Sequence, residues 1–271
     1  MTSWSPQFGL PVPPLDAVAP TLFSTQTAVF YGLVTLVGIL FSIHHWIRTS
    51  RPVLLLIILG GGLAVFVEPF VDLMGAAWHP RLGHAIVFSQ FGRPIPQWMV
   101  WAYFAYFGAL GIANYLAFSK GVTLRAMRLW FLIPMGIDVL IEEVMLHRDL
   151  YLYYGQQPLI LLWKLPFWWV PCNSIGEFIG ISLCVVLVPR LRGIQLLLIP
   201  LIIPLADLVG YAAVAWPSWA AINTEGVANW MTQLAGLCTY ALAFLIVQGL
   251  SLALATDSPW RAALRLQPAQ C

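Results

Sequence analysis

Residues 53 to 75 read VLLLIILGGGLAVFVEPFVDLMG, a long apolar run whose only charged residues are Glu68 and Asp72. A helix needs about 20 such residues to cross a hydrocarbon layer about 30 Å thick. Similar runs recur along the 271-residue chain, which is 60% hydrophobic and only 9% charged, whereas soluble domains carry about 25% charged residues. The composition excludes an ordinary soluble globular protein. It predicts an all-α, polytopic membrane protein made of a single domain.

The apolar runs predict seven transmembrane helices within a bundle that covers residues 27 to 254. An irregular outer tail is expected at 1 to 26 and a cytoplasmic tail at 255 to 271. The seven predicted spans are about 27 to 47, 53 to 75, 97 to 118, 129 to 147, 167 to 188, 194 to 214 and 228 to 254. When the loops are placed alternately, nine of the 13 Lys and Arg residues fall on one side. Because basic loops stay cytoplasmic, the N-terminus is predicted outside and the C-terminus inside.

Charge and cysteine content exclude two further classes of protein. The net charge of +2 comes without any long Lys/Arg run, so no nucleic-acid partner is expected. The cysteines at 172, 184, 238 and 271 form no CxxC pair. Neither a disulfide framework nor a zinc ribbon is predicted.

Ten of the 11 acidic residues fall at mid-membrane or on the predicted outer side, with Asp257 as the exception. Asp and Glu contribute little to topology, so this bias indicates a functional cavity that opens outward. Polar pairs at i, i+4 share a helix face; the four pairs are Glu68/Asp72, Asp138/Glu142, Asn173/Glu177 and Asn229/Gln233. Structural hydrogen bonding between helices is the alternative for each of them. The candidate catalytic residues are Glu68, Asp72, Asp138, Glu142, Glu143, Glu177 and Asp207.

Aromatic residues accompany these acids on the predicted outer side. They are Trp78, Trp98, Trp101, Tyr103, Tyr106, Tyr151, Tyr153, Tyr154, Trp163, Trp168 and Trp169. An interfacial belt would occupy both faces of the membrane, yet only Trp46, Trp130 and Trp260 fall on the inner side, which favours a lined cavity. The candidate substrate-binding residues are Trp78, Trp98, Trp101, Tyr106, Tyr154, Trp163, Trp168, Trp169, Asn173, Asn229 and Gln233.

This combination of residues indicates acid–base chemistry. Two buried carboxyl groups side by side hold a neutral acid beside an anion, and such a pair can give a proton to a substrate and later remove one. A divalent metal would use the acids with His79, His84 or His147, but HExxH and HxxxH are absent and Glu143/His147 alone is weak evidence. Neither a metal nor a cofactor is therefore predicted. A retinal Schiff base needs a lysine inside a late span. The two lysines, Lys120 and Lys164, lie in or beside loops, so a rhodopsin is not predicted.

The sequence also contains a weak internal repeat. Asp72-Leu-Met-Gly, followed by Trp78 and Pro80, resembles Asp207-Leu-Val-Gly, followed by Trp216 and Pro217. The spacing is consistent with two parallel three-helix units joined by the fourth span, a 3+1+3 arrangement. Chance matches are the alternative, since short apolar words recur often in such a composition.

From Glu68 to Glu177 the order of features resembles the avermectin-spirocyclase-like membrane proteins of actinobacteria. The resemblance rests on Glu68-Pro69 with Asp72, on Pro96-Gln97-Trp98, on Asp138 with Glu142, on Tyr153-Tyr154-Gly155, and on Leu162-Trp163-Lys164-Leu165-Pro166 before the segment that leads to Glu177. In size and span number the chain is also similar to the fungal meroterpenoid membrane cyclases. The resemblance implies a cofactor-independent enzyme of a bacterial cell membrane that closes a ring on a hydrophobic terpenoid or polyketide.

Two rival functions remain open. Seven spans in a 3+1+3 order would also suit a transporter similar to the SWEET sugar exporters, although a carrier needs gates on both sides and the predicted inner half shows little polar lining. A metal-dependent membrane lipid hydrolase would respond to a chelator, whereas a cyclase of the expected kind would not.

Overall fold

The computed structural model of the protein describes residue 5 and residues 9 to 259. Within these residues the chain is mostly helical, with short 3-10 turns at Ala64–Phe66 and Gly193–Leu198 and a π-helical segment at Phe104–Leu110. The α-helices of this part are α1 (Thr21–Thr49), α2 (Val53–Leu63), α3 (Glu68–Gly75), α4 (Gln97–Tyr103), α5 (Gly111–Ser119), α6 (Leu124–His147), α7 (Trp169–Leu187), α8 (Ile199–Ile222) and α9 (Asn229–Leu254).

Several of these helices can cross a membrane. Among the described residues, the segments of sufficient length and hydropathy are Thr21–Thr49, Gln97–Ser119, Trp169–Leu187, Gly193–Ile222 and Asn229–Leu254, and the bent pair α2–α3 makes six if it is one span. α6 is 24 residues long, which is enough to cross a membrane. It also carries five charged residues, so its composition does not identify it as a span. The prediction of a helical, multi-span membrane protein is confirmed at this level. The seventh span and the orientation remain predictions.

The central helix of the bundle is α7. It packs against α5, α6, α8 and α9. In an apolar stretch of 18 residues of α7, 72% of the residues are buried inside the protein, whereas the corresponding share is 22% in α1 and in α9. The peripheral helices α1 and α9 therefore present most of their apolar side chains outward. This is the pattern expected of helices whose outer faces contact lipid.

The predicted second span is a broken helix. An added Cβ on Gly61 would lie 2.3 Å from the backbone nitrogen of Gly108, so only glycine lets α2 pack this closely on the π-helical segment. A 3-10 turn follows, the axis bends by 44°, and α3 begins with Glu68 and Pro69. Proline disrupts a continuing helix because it lacks the N–H and its ring clashes with the preceding turn. The break places Glu68 at the first turn of a new helix.

The long connections after α3 and α6 are not helical, which corrects the all-α prediction for these two segments. β1 (Ala77–Trp78) pairs with β4 (Leu152–Tyr153), and β2 (Ile86–Gln90) pairs with β3 (Arg93–Pro96), both antiparallel. The hairpin turn at Phe91 and Gly92 has positive φ at both residues, 52° and 75°, as tight two-residue hairpins require. The β1–β4 pair joins the two connections at one end of the bundle.

The predicted tails differ from the structure in one respect. α1 begins at Thr21, so the last six residues of the predicted irregular tail, 21 to 26, are helical. Of the predicted cytoplasmic tail, residues 260 to 271 lie outside the described residues, as do residues 1 to 4 and 6 to 8 of the outer tail.

The two similar sequence segments, which begin at Asp72 and Asp207, do not share a local structure. Asp72 lies in the eight-residue helix α3, and Trp78 follows it in a strand. Asp207, Trp216 and Pro217 all lie inside the single 24-residue helix α8. The local geometry therefore gives no support to the predicted 3+1+3 repeat, and short apolar matches of this kind need no common origin.

Candidate functional site

One cavity collects polar and aromatic side chains at the end of the bundle that carries the two small sheets. Its free volume, the space that the centre of a water-sized molecule can occupy, is about 90 Å³. Its walls come from α1, α3, α4, α6, α7 and α8 and from the connections that follow α3 and α6. The lining residues are Tyr31, Glu68, Asp72, Ala77, His79, Trp98, Met99, Ala102, Tyr103, Tyr106, Phe107, Asp138, Ile141, Glu142, Met145, Tyr151, Tyr153, Trp169, Asn173 and Tyr211.

One wall holds three polar residues that we call the asparagine cluster: Asp138 and Glu142 of α6 and Asn173 of α7. The Asn173 amide nitrogen lies 3.1 Å from both oxygens of Asp138 and 2.8 Å from Oε1 of Glu142. The Asn173 carbonyl oxygen accepts a hydrogen bond from the hydroxyl of Tyr211. A single amide therefore links two carboxyl groups, and its own acceptor is also satisfied.

The hydroxyl of Tyr153 completes this network by donating to Oε2 of Glu142 over 3.0 Å. Burial, followed by the negative charge of Glu142, raises the pKa of Tyr153 and of Tyr151 well above the ordinary tyrosine value. Both phenols therefore keep their protons at neutral pH and act as hydrogen-bond donors. Each residue of the asparagine cluster has at least one hydrogen bond of good length.

The same cavity also holds the histidine cluster, formed by Glu68 and Asp72 of α3 and by His79. Nε2 of His79 lies 3.5 Å from Oε1 of Glu68 and 3.5 Å from Oδ2 of Asp72. All three residues are buried, with His79 and Asp72 each only 1% exposed. Among the described residues, neither oxygen of Asp72 and neither ring nitrogen of His79 has a hydrogen-bond partner.

Two features outside the helices position His79. Ala76 ends α3 in the left-handed conformation with φ of 54°, which turns the chain into β1 and back toward α3. The imidazole ring then packs between Trp98 and Tyr151, with ring centroids 5.5 Å and 5.3 Å away. Burial lowers the pKa of His79, but the negative charges of Asp72 and Glu68 outweigh this effect and raise it to about 9.

Glu68 has one further contact, since the Tyr103 hydroxyl donates to its Oε2 over 2.6 Å. Tyr103 ends α4 directly before the π-helical segment. Such a segment has a wider turn than an α-helix and is frequent at functional sites. Here it carries Tyr106 and Phe107, which also line the cavity.

Tyr151 and Tyr153 connect the two clusters. The Tyr151 ring lies 5.3 Å from the ring of His79 and 5.7 Å from the ring of Tyr153, and Tyr153 binds Glu142. Trp169 closes the same side, with its ring 5.3 Å from Tyr153 and 5.8 Å from Tyr211. The two clusters thus face one chamber whose remaining walls are largely aromatic.

His84 lies outside the lining but close to it. Its Nε2 is 2.8 Å from the carbonyl oxygen of Leu150, and its Nδ1 is 2.8 Å from the hydroxyl of Ser24. Because the carbonyl only accepts, Nε2 donates and Nδ1 accepts from Ser24. Burial, and then the charge of His79, lower the pKa of His84 to about 4. His84 is therefore neutral and fixes the connection that carries His79.

Three predicted catalytic acids lie outside the cavity. Glu143 accepts hydrogen bonds of 3.3 to 3.4 Å from the backbone N–H groups of residues 163 to 165, so it holds that loop. Glu177 accepts a 2.7 Å bond from the amide of Asn114, about 6 Å further along α7 than Asn173. Asp207 is fully buried against Gly176, where a Cβ would lie 2.5 Å from its Oδ1.

Several predicted substrate-binding residues also lie away from the cavity. Arg93 packs over the ring of Trp78 and donates to the hydroxyl of Tyr154, and the indole of Trp168 donates to Gln157 over 3.0 Å. Trp163 is 73% exposed on a loop. The remaining three of this group are Trp101, Asn229 and Gln233, of which the last two bond the 156 to 159 loop. Trp98, Tyr106, Trp169 and Asn173 do line the cavity.

Sequence reasoning did not select Tyr31, His79 or Tyr211 as site residues. Tyr211 lies four residues after Asp207 and so shares its helix face. This spacing could have identified Tyr211 as a candidate from the sequence. His79 follows Asp72 by seven residues, but its return to α3 depends on the left-handed turn at Ala76. Tyr31 reaches the cavity through the packing of α1 alone, which no local pattern reveals.

An apolar groove between α1 and α6 adjoins the cavity. It is lined by Phe23, Gln26, Thr27, Phe30, Tyr31, Leu140, Ile141, Val144 and Met145. Tyr31, Ile141 and Met145 also line the cavity itself, so these three side chains separate the chamber from the outer surface of the bundle.

Comparisons with models of protein families, with curated proteins and with solved structures found no match to this chain. The chemistry of the site therefore has to be argued from its own geometry.

Proposed function

We propose that the protein is an integral membrane enzyme that catalyses an acid–base ring closure or isomerisation of a hydrophobic substrate. The observation that carries this proposal is the asparagine cluster, in which one amide binds two carboxyl groups inside an aromatic chamber. Two adjacent carboxylates of low solvent access cannot both be charged without a large electrostatic cost, so the pair shares a proton. A shared proton is the resource that an acid–base catalyst requires.

The proposed reaction conserves mass. The protonated member of the Asp138/Glu142 pair donates its proton to an alkene carbon, an epoxide oxygen or a carbonyl oxygen of the substrate. A nucleophilic group of the same molecule then forms the new ring bond, and the carboxylate accepts a proton from the product. The pair returns to its starting state, so no oxidant or reductant is consumed.

The walls suit a hydrophobic substrate that develops positive charge. Trp98, Tyr106 and Trp169 line the chamber, and aromatic faces attract cations, most strongly where water is excluded. The apolar groove between α1 and α6 supports entry of the substrate from the bilayer, since it adjoins the chamber and carries no charged side chain. The histidine cluster, which lines the same cavity, would bind a polar end of the substrate.

The same proposal includes the finer membrane topology. α6 is taken as the seventh span, with the cavity on the outer side of a bacterial cell membrane and the C-terminus in the cytoplasm. α6 would pay about 2.5 to 3.5 kcal/mol for an isolated mid-membrane acid, and the bonds of Asp138 and Glu142 to Asn173 reduce that cost. Charged residues that face a bundle interior in this way usually mark functional sites.

Product analysis tests the proposed reaction. The protein is expressed together with the biosynthetic genes that neighbour its own, and lipid extracts are compared by liquid chromatography and mass spectrometry. We expect a compound of unchanged elemental composition and new retention time. Asp138→Asn and Glu142→Gln should each reduce its formation by about 10²-fold or more, the usual loss on removing a general acid or base.

The matched control is Glu225→Gln, which makes the same carboxyl-to-amide change at an exposed position and should leave product formation unchanged. Unchanged product formation in both cavity variants, with normal protein levels, would refute the acid–base assignment. A product that differs from its precursor by water or by a redox change would refute the mass-conserving ring closure or isomerisation that we propose.

A further inference from the structure

The histidine cluster has the composition of a metal site. It joins two carboxylates of α3 and one imidazole of the connection that follows β1, and one ligand atom from each residue lies within 4.8 Å of the others. Imidazole nitrogen and carboxylate oxygen are both ligands of divalent transition metals. Three protein ligands with a remaining open position are typical of catalytic rather than structural metal sites.

The distances in this cluster fit a bound cation better than direct hydrogen bonds. Hydrogen bonds between nitrogen and oxygen measure about 2.7 to 3.2 Å, whereas His79 Nε2 lies 3.5 Å from both carboxylate oxygens. In a tetrahedral site with bonds of about 2.0 to 2.2 Å, neighbouring ligand atoms are about 3.4 Å apart. The two observed separations match two edges of such a tetrahedron.

Burial supplies an independent observation. Asp72 and His79 are each 1% exposed, and within the described part of the chain all four of their side-chain polar atoms lack a hydrogen-bond partner. Buried polar groups without partners are rare because each costs about 1 to 3 kcal/mol. A cation between these side chains would bind Nε2 of His79 and Oδ2 of Asp72, which face each other, and would balance the two negative charges.

The surroundings of Glu68 are also suited to ligation. Tyr103 donates to Oε2 of Glu68, which leaves Oε1, the oxygen that faces His79, available to a cation. Hydrogen bonds to the non-ligating atoms of metal-bound carboxylates fix their orientation. Tyr151 and Trp98 fix the imidazole plane by ring packing.

From these observations we infer that Glu68, Asp72 and His79 bind one divalent transition-metal ion, such as Zn²⁺ or Mn²⁺, in the same cavity as the asparagine cluster. The site goes beyond the proposed reaction and does not depend on it. An ion at this position would face the same chamber as Asp138 and Glu142, where a metal can polarise an oxygen of a bound molecule.

Metal binding is tested directly on the purified full-length protein in detergent. The protein is stripped with a chelator and dialysed, and then Zn²⁺ or Mn²⁺ is titrated by calorimetry and the bound metal is counted by mass spectrometry. We expect about one equivalent for the wild type. His79→Gln and Asp72→Asn should weaken binding by at least about 100-fold, because each loses a direct ligand.

Co²⁺ substitution provides a readout of the ligand set. A four-coordinate Co²⁺ site gives intense visible absorption, which Glu68→Gln should shift and His79→Gln should abolish. The controls are His147→Gln and Glu225→Gln, which remove an exposed histidine and an exposed carboxylate and should leave stoichiometry and spectrum unchanged.

The competing account is an imidazolium of His79 that pairs with the two carboxylates and binds no metal. Folded wild-type protein that takes up no Zn²⁺, Mn²⁺ or Co²⁺ would overturn the metal site, and so would a His79→Gln variant with unaltered affinity. Neither result depends on product formation, so failure of the metal site is distinguishable from failure of the proposed reaction.

Discussion

The two polar clusters of the cavity differ in how their hydrogen-bonding capacity is used. In the asparagine cluster, Asn173 binds both carboxyl groups, and Tyr153 and Tyr211 satisfy further atoms. In the histidine cluster, Asp72 and His79 have no such partners in the described residues. A satisfied network holds its side chains in fixed positions, whereas unsatisfied polar atoms that face a chamber are available to a ligand.

The difference arises from the elements that build each cluster. Asp138, Glu142 and Asn173 belong to the long helices α6 and α7, which pack directly on each other and can bring complementary groups together. Glu68 and Asp72 belong to the short helix α3, and His79 lies beyond it in a connection. Stability and ligand binding should therefore respond differently to changes in the two clusters.

The largest effect is expected from Asn173→Ala. This change removes the amide that binds Asp138 and Glu142, so Asp138 loses this donor while Glu142 keeps the bond from Tyr153. Each buried group left unsatisfied costs about 1 to 3 kcal/mol, and more where it is charged. The melting temperature in detergent, followed by circular dichroism, should fall clearly. Ser182→Ala on the same helix is the control, because Ser182 is buried and its hydroxyl has no partner in the described chain. Equal melting temperatures for both variants would contradict the network described here.

Hydropathy and helical spacing were enough to predict much of this arrangement. The predicted spans lie on helical segments, although the second is broken between α2 and α3 and the third includes the π-helical segment. The predicted pairs Glu68/Asp72 and Asp138/Glu142 all line the cavity. A carboxylate at i and another at i+4 share a face, and an apolar environment forces that face inward. Local spacing therefore identified the two acidic walls.

The remaining features depend on contacts between distant segments. The break in the second span requires the close approach of Gly61 to Gly108, and the return of His79 requires the left-handed Ala76. Asn173/Glu177 illustrates the limit of spacing alone, because Asn173 reaches the cavity while Glu177 binds Asn114 deeper in the bundle. Which side of a buried helix faces a cavity is decided by its neighbours, not by its own sequence.

A change at Gly75 would alter the separation between the two walls. A Cβ at this position would lie 1.9 Å from Cζ3 of Trp169, so Gly75→Ala must displace either α3 or the Trp169 ring. Overpacking of this kind costs about 1 to 3 kcal/mol. We expect a lower melting temperature and reduced product formation. Gly136→Ala on α6 is the control, because a Cβ there meets nothing within 4 Å; a Gly75→Ala variant as stable as this control would show that the walls are not tightly coupled.

Two tyrosines allow the clusters to be compared by the same substitution. Tyr103→Phe removes the hydrogen bond to Glu68, and Tyr153→Phe removes one of the bonds to Glu142, which keeps its bond to Asn173. A hydrogen bond to a charged group contributes about 1.5 to 3 kcal/mol, and an ordinary one about 0.5 to 1.5 kcal/mol. Glu68 is the charged partner here because it faces His79, whereas Glu142 shares a proton with Asp138 in the proposed reaction. Tyr103→Phe should therefore lower the melting temperature more than Tyr153→Phe. The reverse order would mean that Glu68, not Glu142, has the better-satisfied carboxyl group.

The smallest change in stability is expected from Asp72→Asn in chelator-treated protein. Neither oxygen of Asp72 has a hydrogen-bond partner in the described residues, so the amide loses no hydrogen bond. It does lose the ion pair with His79, but Glu68 remains 3.5 Å from His79 as the counter-charge, and the repulsion between two buried carboxylates is removed. The melting temperature should stay within about 1 °C of the wild type or rise, as is common where a functional group has been kept at the expense of stability. Added Zn²⁺ should distinguish the wild type from the variant by their melting temperatures. A ligand that binds only the folded state stabilises it by RT ln(1 + [L]/Kd), which is about 2.7 kcal/mol at a free concentration of 100 Kd. The wild type should gain this stabilisation and Asp72→Asn should not. A large loss of stability in the metal-free variant would instead mean that Asp72 is a structural partner of His79, and the contrast between the two clusters would then disappear.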